Sequence, residues 1–108
     1  MTTDEQEKAR QEIANLAARM LDGELSYIEG ARQIAALRFS AGMEDDPDIL
    51  PFVGIDSETD ALPVGKVREL WKSSALESRQ ADIDRAEAWS MKFGQRHCQN
   101  LVERLVLR

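Results

Sequence analysis

The 108-residue chain contains a single cysteine, Cys98, and a single histidine, His97. One cysteine cannot form a disulfide within the chain, which excludes a disulfide scaffold and fits a reducing compartment. One thiol beside one imidazole makes no zinc site. Adjacent side chains on a helix diverge by about 100°, so the two cannot pair as nucleophile and base. The sequence therefore predicts a hydrogen-bonded core histidine, a small buried thiol, and no metal or other cofactor.

Long apolar runs are also missing. No segment approaches the ~20 apolar residues of a membrane-spanning helix, so we expect no membrane association. The first residues are acidic and polar and lack the basic and apolar regions of a secretion signal, which predicts a cytoplasmic protein. With 43% hydrophobic and 31% charged residues the composition is globular, and the length predicts one domain over residues 1–108.

Basic residues are absent between Arg38 and Lys66. Residues 44–65, here called the acidic elbow, contain all three prolines, and the rest of the chain is close to electrically neutral. Such a stretch repels nucleic acid and anionic lipid and attracts cationic partners, although an acidic loop can also serve only solubility. Its seven carboxylates are Glu44, Asp45, Asp46, Asp48, Asp56, Glu58 and Asp60.

Elsewhere the apolar residues recur at helical spacing, and no alternating strand pattern occurs. A first helix is expected over residues 3–21, capped by Thr3 or Thr2, and a second helix from the capping box of Ser26 and Glu29. A short acidic helix is expected from about Pro47 to Thr59. Pro51 requires either an irregular first turn or a later start.

The last helix is expected to run from near Leu76 or Ser78 to about Leu105, with Ser74 and Glu77 as a further capping box. A helical turn is expected over residues 66–71 before it. The chain is thus predicted to be all-α: two antiparallel helices, a short acidic helix or turn, and a long C-terminal helix. The apolar positions assigned to the last helix are Ile83, Ala86, Trp89 or Ser90, Phe93, His97, Leu101, Val102 and Leu105.

The alternating acids Asp56, Glu58 and Asp60 resemble the start of an EF-hand loop. Calcium is not expected, because Ala61 stands where that loop needs glycine and Val67 where it needs a bidentate glutamate. On a helix, Asp56 and Asp60 share a face, which leaves a further alternative: an enzyme that uses Asp56, Glu58 and Asp60 around a metal or a substrate amine. The simpler interpretation is that Asp56, Ser57 or Thr59 caps or turns the chain, while Glu58 or Asp60 pairs with Arg68, Lys66 or an arginine of the last helix.

The amino-acid sequence of the acidic elbow is similar to that of a group of small bacterial proteins. They share the string Ile-Asp-Ser-Glu-Thr-Asp, then Leu-Pro and Gly, followed by a tryptophan; here these are residues 55–60, Leu62-Pro63, Gly65 and Trp71. The resemblance spans roughly residues 20–102 and brings no catalytic residue with it. In size, acidity and helical make-up the chain is also similar to bacterial immunity proteins, which neutralise cognate toxins.

We therefore expect a non-catalytic, acidic protein-binding domain, in concrete form an immunity or antitoxin-like protein that binds a partner with a basic surface. The alternative is a small regulatory or structural subunit, with a homodimer formed through the long helix. Trp71 is expected either in the core or as the wall of a groove behind the acidic turn. The residues predicted to bind the partner are Asp56, Glu58, Asp60, Phe52, Leu62 and Trp71, with Val64 as a further apolar anchor.

Overall fold

The computed structural model describes residues 3–62, 64 and 73–106. These residues form four α-helices and no strand, which confirms the predicted all-α, four-helix domain. None of the helices described combines the length and the apolar character that crossing a membrane requires. The helices are α1 (Asp4–Leu21), α2 (Tyr27–Leu37), α3 (Leu50–Thr59) and α4 (Ser73–Val106).

The first two helices form an antiparallel pair with well-defined ends. The Thr3 hydroxyl accepts a hydrogen bond from the Gln6 amide at 3.1 Å, and the Gln6 side chain accepts one from the Thr3 amide, so the predicted cap at Thr3 is present. Gly23 has φ +79° and turns the chain out of α1. The Ser26 hydroxyl then accepts a hydrogen bond from Glu29 N at 3.1 Å and starts α2.

The third helix begins at Leu50, so the predicted start at Pro47 is wrong. Residues 46–49 form turns instead, in which the Asp46 carboxylate accepts a hydrogen bond from Asp48 N at 2.9 Å. Pro51 then lies in the first turn of α3, where its missing N–H costs no intrahelical bond. The alternative start at Pro51 is therefore correct to within one residue, because α3 begins at Leu50.

The long helix α4 starts at Ser73, earlier than predicted, so the capping box expected at Ser74 lies inside the helix. At 1.5 Å per residue its 34 residues reach about 51 Å, which equals the longest dimension of the molecule, 51 Å. It packs mainly along α1 and also contacts α2 and α3. The helical turn predicted over residues 66–71 lies outside the described residues.

The buried face of α4 differs from the predicted one. Trp89 and Phe93 are 43% and 47% exposed, so their predicted place in the core is wrong. Ser90, the alternative to Trp89 that the sequence allowed, is fully buried, and Gly94 is buried on the same side. A Cβ atom on Gly94 would lie 3.0 Å from the Phe52 ring, so small residues let α4 approach α3 closely. The buried residues of this face are Ile83, Ser90, Gly94, Cys98, Leu101 and Leu105.

Two apolar clusters hold the helices together. The main one joins α1, α2, α3 and the C-terminal half of α4, and Phe52 and Ile55 are fully buried in it. The second cluster is smaller and joins the start of α2, the residues after α3 and the N-terminal half of α4. Its buried members are Ile28, Leu62, Val64 and Ile83.

Candidate functional site

The first half of the acidic elbow is fastened to the end of α4. Arg104 donates hydrogen bonds to both oxygens of Asp46, at 2.8 and 2.6 Å, and a third to Asp48 at 2.8 Å. The two aspartate side chains are only 13% exposed. This fork-shaped pairing fixes the turn before α3 against α4 and neutralises charge where the two meet.

The pKa values of these groups reflect the same contacts. Hydrogen bonding to Arg104 is the main reason that the pKa of Asp46 lies below its usual value. Burial is the largest single influence on the pKa of Asp48 and raises it, but hydrogen bonds from Asn100, His97 and Arg104 together outweigh burial and lower it. The two carboxylates, chiefly Asp46, raise the pKa of the Arg104 guanidinium, which stays charged.

The lone histidine belongs to the cluster formed by Arg104, Asp46 and Asp48. His97 Nδ1 lies 2.9 Å from Asp48 Oδ1, and Asn100 donates to the same oxygen at 2.9 Å. The adjacent Cys98 points into the core, where it is fully buried, as predicted. Burial raises the pKa of the Cys98 thiol to about 12, so it is protonated and unreactive at neutral pH.

The end of α3 is capped by an arginine from α2. Arg32 Nη2 donates to the backbone carbonyl of Thr59, the last residue of α3, and to that of Leu62 at 3.3 Å. Its Nε lies 3.7 Å from Asp56 Oδ1, within ion-pair distance but too far for a hydrogen bond. Asp56 therefore has a partner within the fold, Arg32, which was not predicted from the sequence. Two of the basic residues predicted to pair with Glu58 or Asp60, Lys66 and Arg68, lie outside the described residues.

Glu58 and Asp60 are the other two carboxylates at this end of α3. Both are exposed, and neither forms a hydrogen bond or ion pair with another described residue. They lie at the negative end of the helix dipole, where an acidic side chain is unfavourable by about 0.3–1 kcal/mol. Glu44 and Asp45 are likewise exposed and unpaired, but the ten residues of α3, about 15 Å long, separate the two pairs.

A cleft of about 200 Å³ is lined in part by Val64, which follows Asp60 by four positions in the chain. Its apolar residues belong to the second cluster, which also contains Leu62, two residues after Asp60. One of its carboxylates, Glu87 of α4, accepts hydrogen bonds from the backbone amides of Tyr27 and Ile28 at 2.8 and 3.1 Å. Glu87 thereby caps the positive end of α2. The cleft is lined by Ser26, Ile28, Glu29, Val64, Ile83, Asp84 and Glu87.

The residues predicted to bind a partner therefore fall into three groups. Asp56, Glu58 and Asp60 lie at the surface, with Asp56 tied to Arg32. Phe52 is fully buried and Leu62 is 8% exposed, so neither side chain offers an anchor at the surface in this fold; the same holds for Val64. Their apolar character serves the two clusters. Trp71 lies outside the described residues.

Sequence reasoning did not find the residues that organise this region: Arg32, Glu87 and Arg104. Each contacts a residue at least 27 positions away in the chain, and spacing carries no signal over such distances. One feature of the sequence pointed to such contacts: the acidic elbow contains no basic residue. Any carboxylate of the elbow that forms an ion pair must therefore pair with a basic residue from another part of the chain. Within residues 3–62, 64 and 73–106, no group of three or more histidine, cysteine or acidic residues is arranged to hold a metal ion.

Comparison of the chain with protein-family models, with curated proteins and with solved structures gave no match.

Proposed function

We propose that the chain is a non-catalytic protein-binding domain whose acidic face recognises a cationic segment of a partner protein. The acidic face is defined by Glu29, Glu58, Asp60 and Asp84 and by the cleft beside them. One observation carries the proposal: the cleft has an apolar floor, and carboxylates are the only charged groups among its described lining residues. Two further carboxylates, Glu58 and Asp60, are exposed and have no partner among the described residues.

A lysine or arginine side chain fits this combination. Its aliphatic stem can cover apolar surface, here Ile28, Val64 and Ile83, while its charged end stays near carboxylates. The exposed acids around the cleft would speed the encounter with a basic surface and favour basic partners over acidic ones. Nucleic acid and anionic lipid are disfavoured by the same charges.

The concrete form of this proposal is an immunity protein or antitoxin that covers the basic surface of a toxin. Support comes from the small all-helical fold, the acidity of the chain and two exposed acids, Glu58 and Asp60, at a helix end where negative charge is unfavourable. Unfavourable charges of this kind are expected where a binding partner, and not the fold, is served.

The test is a pull-down from the native host with two charge-matched double variants. Glu58→Gln with Asp60→Asn removes two charges from the acidic face, while Glu44→Gln with Asp45→Asn removes two charges from the far end of α3. The first variant is expected to lose a salt-sensitive protein partner that the second retains. Equal retention, or equal loss, would show that the acidic face is not the recognition surface.

The immunity role has a separate test in the neighbouring genes. An immunity protein is expected beside a gene for a toxin whose product has a basic surface and co-purifies with this chain. If no neighbour is toxic and no protein co-purifies, the immunity role is wrong.

A further inference from the structure

Two large aromatic side chains lie against each other on the outer surface of α4. The rings of Trp89 and Phe93 are stacked, with centroids 5.4 Å apart and planes 9° from parallel. They are 43% and 47% exposed. Two adjoining aromatic rings held at the surface are unfavourable in water and are typical of a protein contact.

The charges around this pair have a definite order. Residues three or four apart share one side of a helix, so a stripe runs along α4 through Asp82, Arg85, Trp89, Phe93 and Arg96. Trp89 lies about midway along α4, which spans Ser73–Val106. An acidic residue therefore stands seven positions before Trp89, and a basic residue stands seven positions after it.

We propose that this stripe is a homodimer face, which packs antiparallel against the same stripe of a second copy. A two-fold axis through Trp89 places the two copies of Trp89 together. It brings Asp82 of one copy opposite Arg96 of the other, and Arg85 opposite Phe93. Such an interface is self-complementary, as a two-fold contact must be. The contact between Arg85 and Phe93 is a cation–π pair.

The charge pattern favours this occupant and this direction. Arg96 is exposed and has no ion pair with any other described residue, so its charge is available to the second copy. A parallel arrangement would instead place Arg96 against Arg96 and Asp82 against Asp82, which is repulsive. Asp82 already pairs with Arg79 and Arg85 within its own helix, and these neighbours hold its carboxylate at the surface of the stripe.

The contact is small, so the expected dimer is weak, with a Kd of about 1 µM or higher. Sedimentation velocity over about three decades of protein concentration is expected to show a monomer that becomes a dimer. Replacing both rings, Trp89→Gln with Phe93→Gln, is expected to raise the Kd at least about tenfold. Met91→Gln is the matched control, because Met91 is 45% exposed on nearly the opposite side of α4.

A charge exchange tests the antiparallel direction without touching the rings. Asp82→Arg alone and Arg96→Asp alone are each expected to raise the Kd by about fivefold or more, and the double exchange is expected to restore it to within about twofold. Asp82 and Arg96 lie about 21 Å apart along their own helix, so restoration reports contact between two molecules.

Three results would overturn the proposal. One is a monomer at every concentration. Another is a dimer that Met91→Gln weakens as much as the double ring replacement does. The third is a double charge exchange that fails to restore the dimer. If the chain stays monomeric and its two rings bind a different protein, the homodimer proposal is also wrong.

Discussion

Arg104 donates two parallel hydrogen bonds to the Asp46 carboxylate, 2.8 Å to Oδ1 and 2.6 Å to Oδ2, and the two residues are 58 positions apart in the chain. The carboxylates of the acidic elbow therefore fall into two groups with different surroundings. Asp46 and Asp48 are bound to α4 and hold the start of α3 in place. Glu58 and Asp60, at the other end of α3, are exposed and form no ion pair with the residues that the structure describes.

Replacing Arg104 should destabilise the fold. Arg104→Gln is expected to lower the free energy of unfolding by about 1–2 kcal/mol, because two largely buried carboxylates lose charged hydrogen bonds. The loss stays this small because the Arg104 side chain is 42% exposed, so water screens its charge. Urea unfolding measures it. Lys92→Gln, an exposed cation of α4, serves as the control and should change the free energy by less than about 0.5 kcal/mol.

The same cluster should make the protein sensitive to acid. The pKa values of Asp46 and Asp48 are lowered in the folded state from an ordinary value of 3.8. A lowered pKa contributes stability that is present above pH 3.8 and is lost as the pH falls through the folded pKa values. The double variant Asp46→Asn, Asp48→Asn should therefore lose less stability between about pH 5 and pH 2 than the wild type does. Parallel pH curves for the two proteins would contradict this role.

The arginine that caps α3 should matter more than an arginine at the surface. Arg32→Gln is expected to cost about 1–2 kcal/mol of unfolding free energy, because the Thr59 carbonyl loses its charged donor. Arg19→Gln is the control: its ion pair with Glu24 is 3.9 Å long and exposed, and should contribute less than about 0.5 kcal/mol. Equal effects in thermal unfolding would argue against the cap.

Two glycines inside helices should respond to alanine in opposite ways. A Cβ on Gly30 would come within 3.0 Å of three atoms of the buried Met20 side chain, whereas a Cβ on Gly54 meets nothing within 4 Å. Gly54→Ala should stabilise by about 0.5–1 kcal/mol through helix propensity. Gly30→Ala should destabilise by about 1–2 kcal/mol, because crowding at the crossing of α1 and α2 exceeds that gain. Stabilisation by both changes would mean that this crossing is loosely packed.

Helix number and type could be predicted because they depend on local signals. The Thr3 cap, the Ser26 cap and the apolar spacing of α1 act over three or four residues, so a single sequence contains them. The end of α1 at Leu21 was predicted for the same reason. The start of α3 was harder to predict, because a helix could begin at either of two prolines, Pro47 or Pro51. The later start goes with the contacts between Asp46 and α4, which hold the preceding residues in a turn.

The rotation of α4 and the partners of the elbow could not be predicted from local signals. Trp89 and Phe93 fit an apolar stripe better than Ser90 and Gly94 do, if hydrophobicity alone decides. The structure buries Ser90 and Gly94 instead, and a Cβ atom on Gly94 would already lie 3.0 Å from the Phe52 ring and 3.6 Å from the Tyr27 ring. In the same way, Arg32 and Arg104 reach the elbow only after the helices have packed.

The acidic face is tested most directly by following backbone amide NMR signals while a short lysine-rich peptide is added at low and at high salt. The proposed function predicts salt-sensitive shifts at Glu29, Glu58, Asp60 and Asp84 that saturate, with much smaller shifts at Glu44 and Asp45. Glu44 and Asp45 carry the same exposed charges without the cleft. Shifts of equal size at both ends of α3, or none at either end, would contradict it.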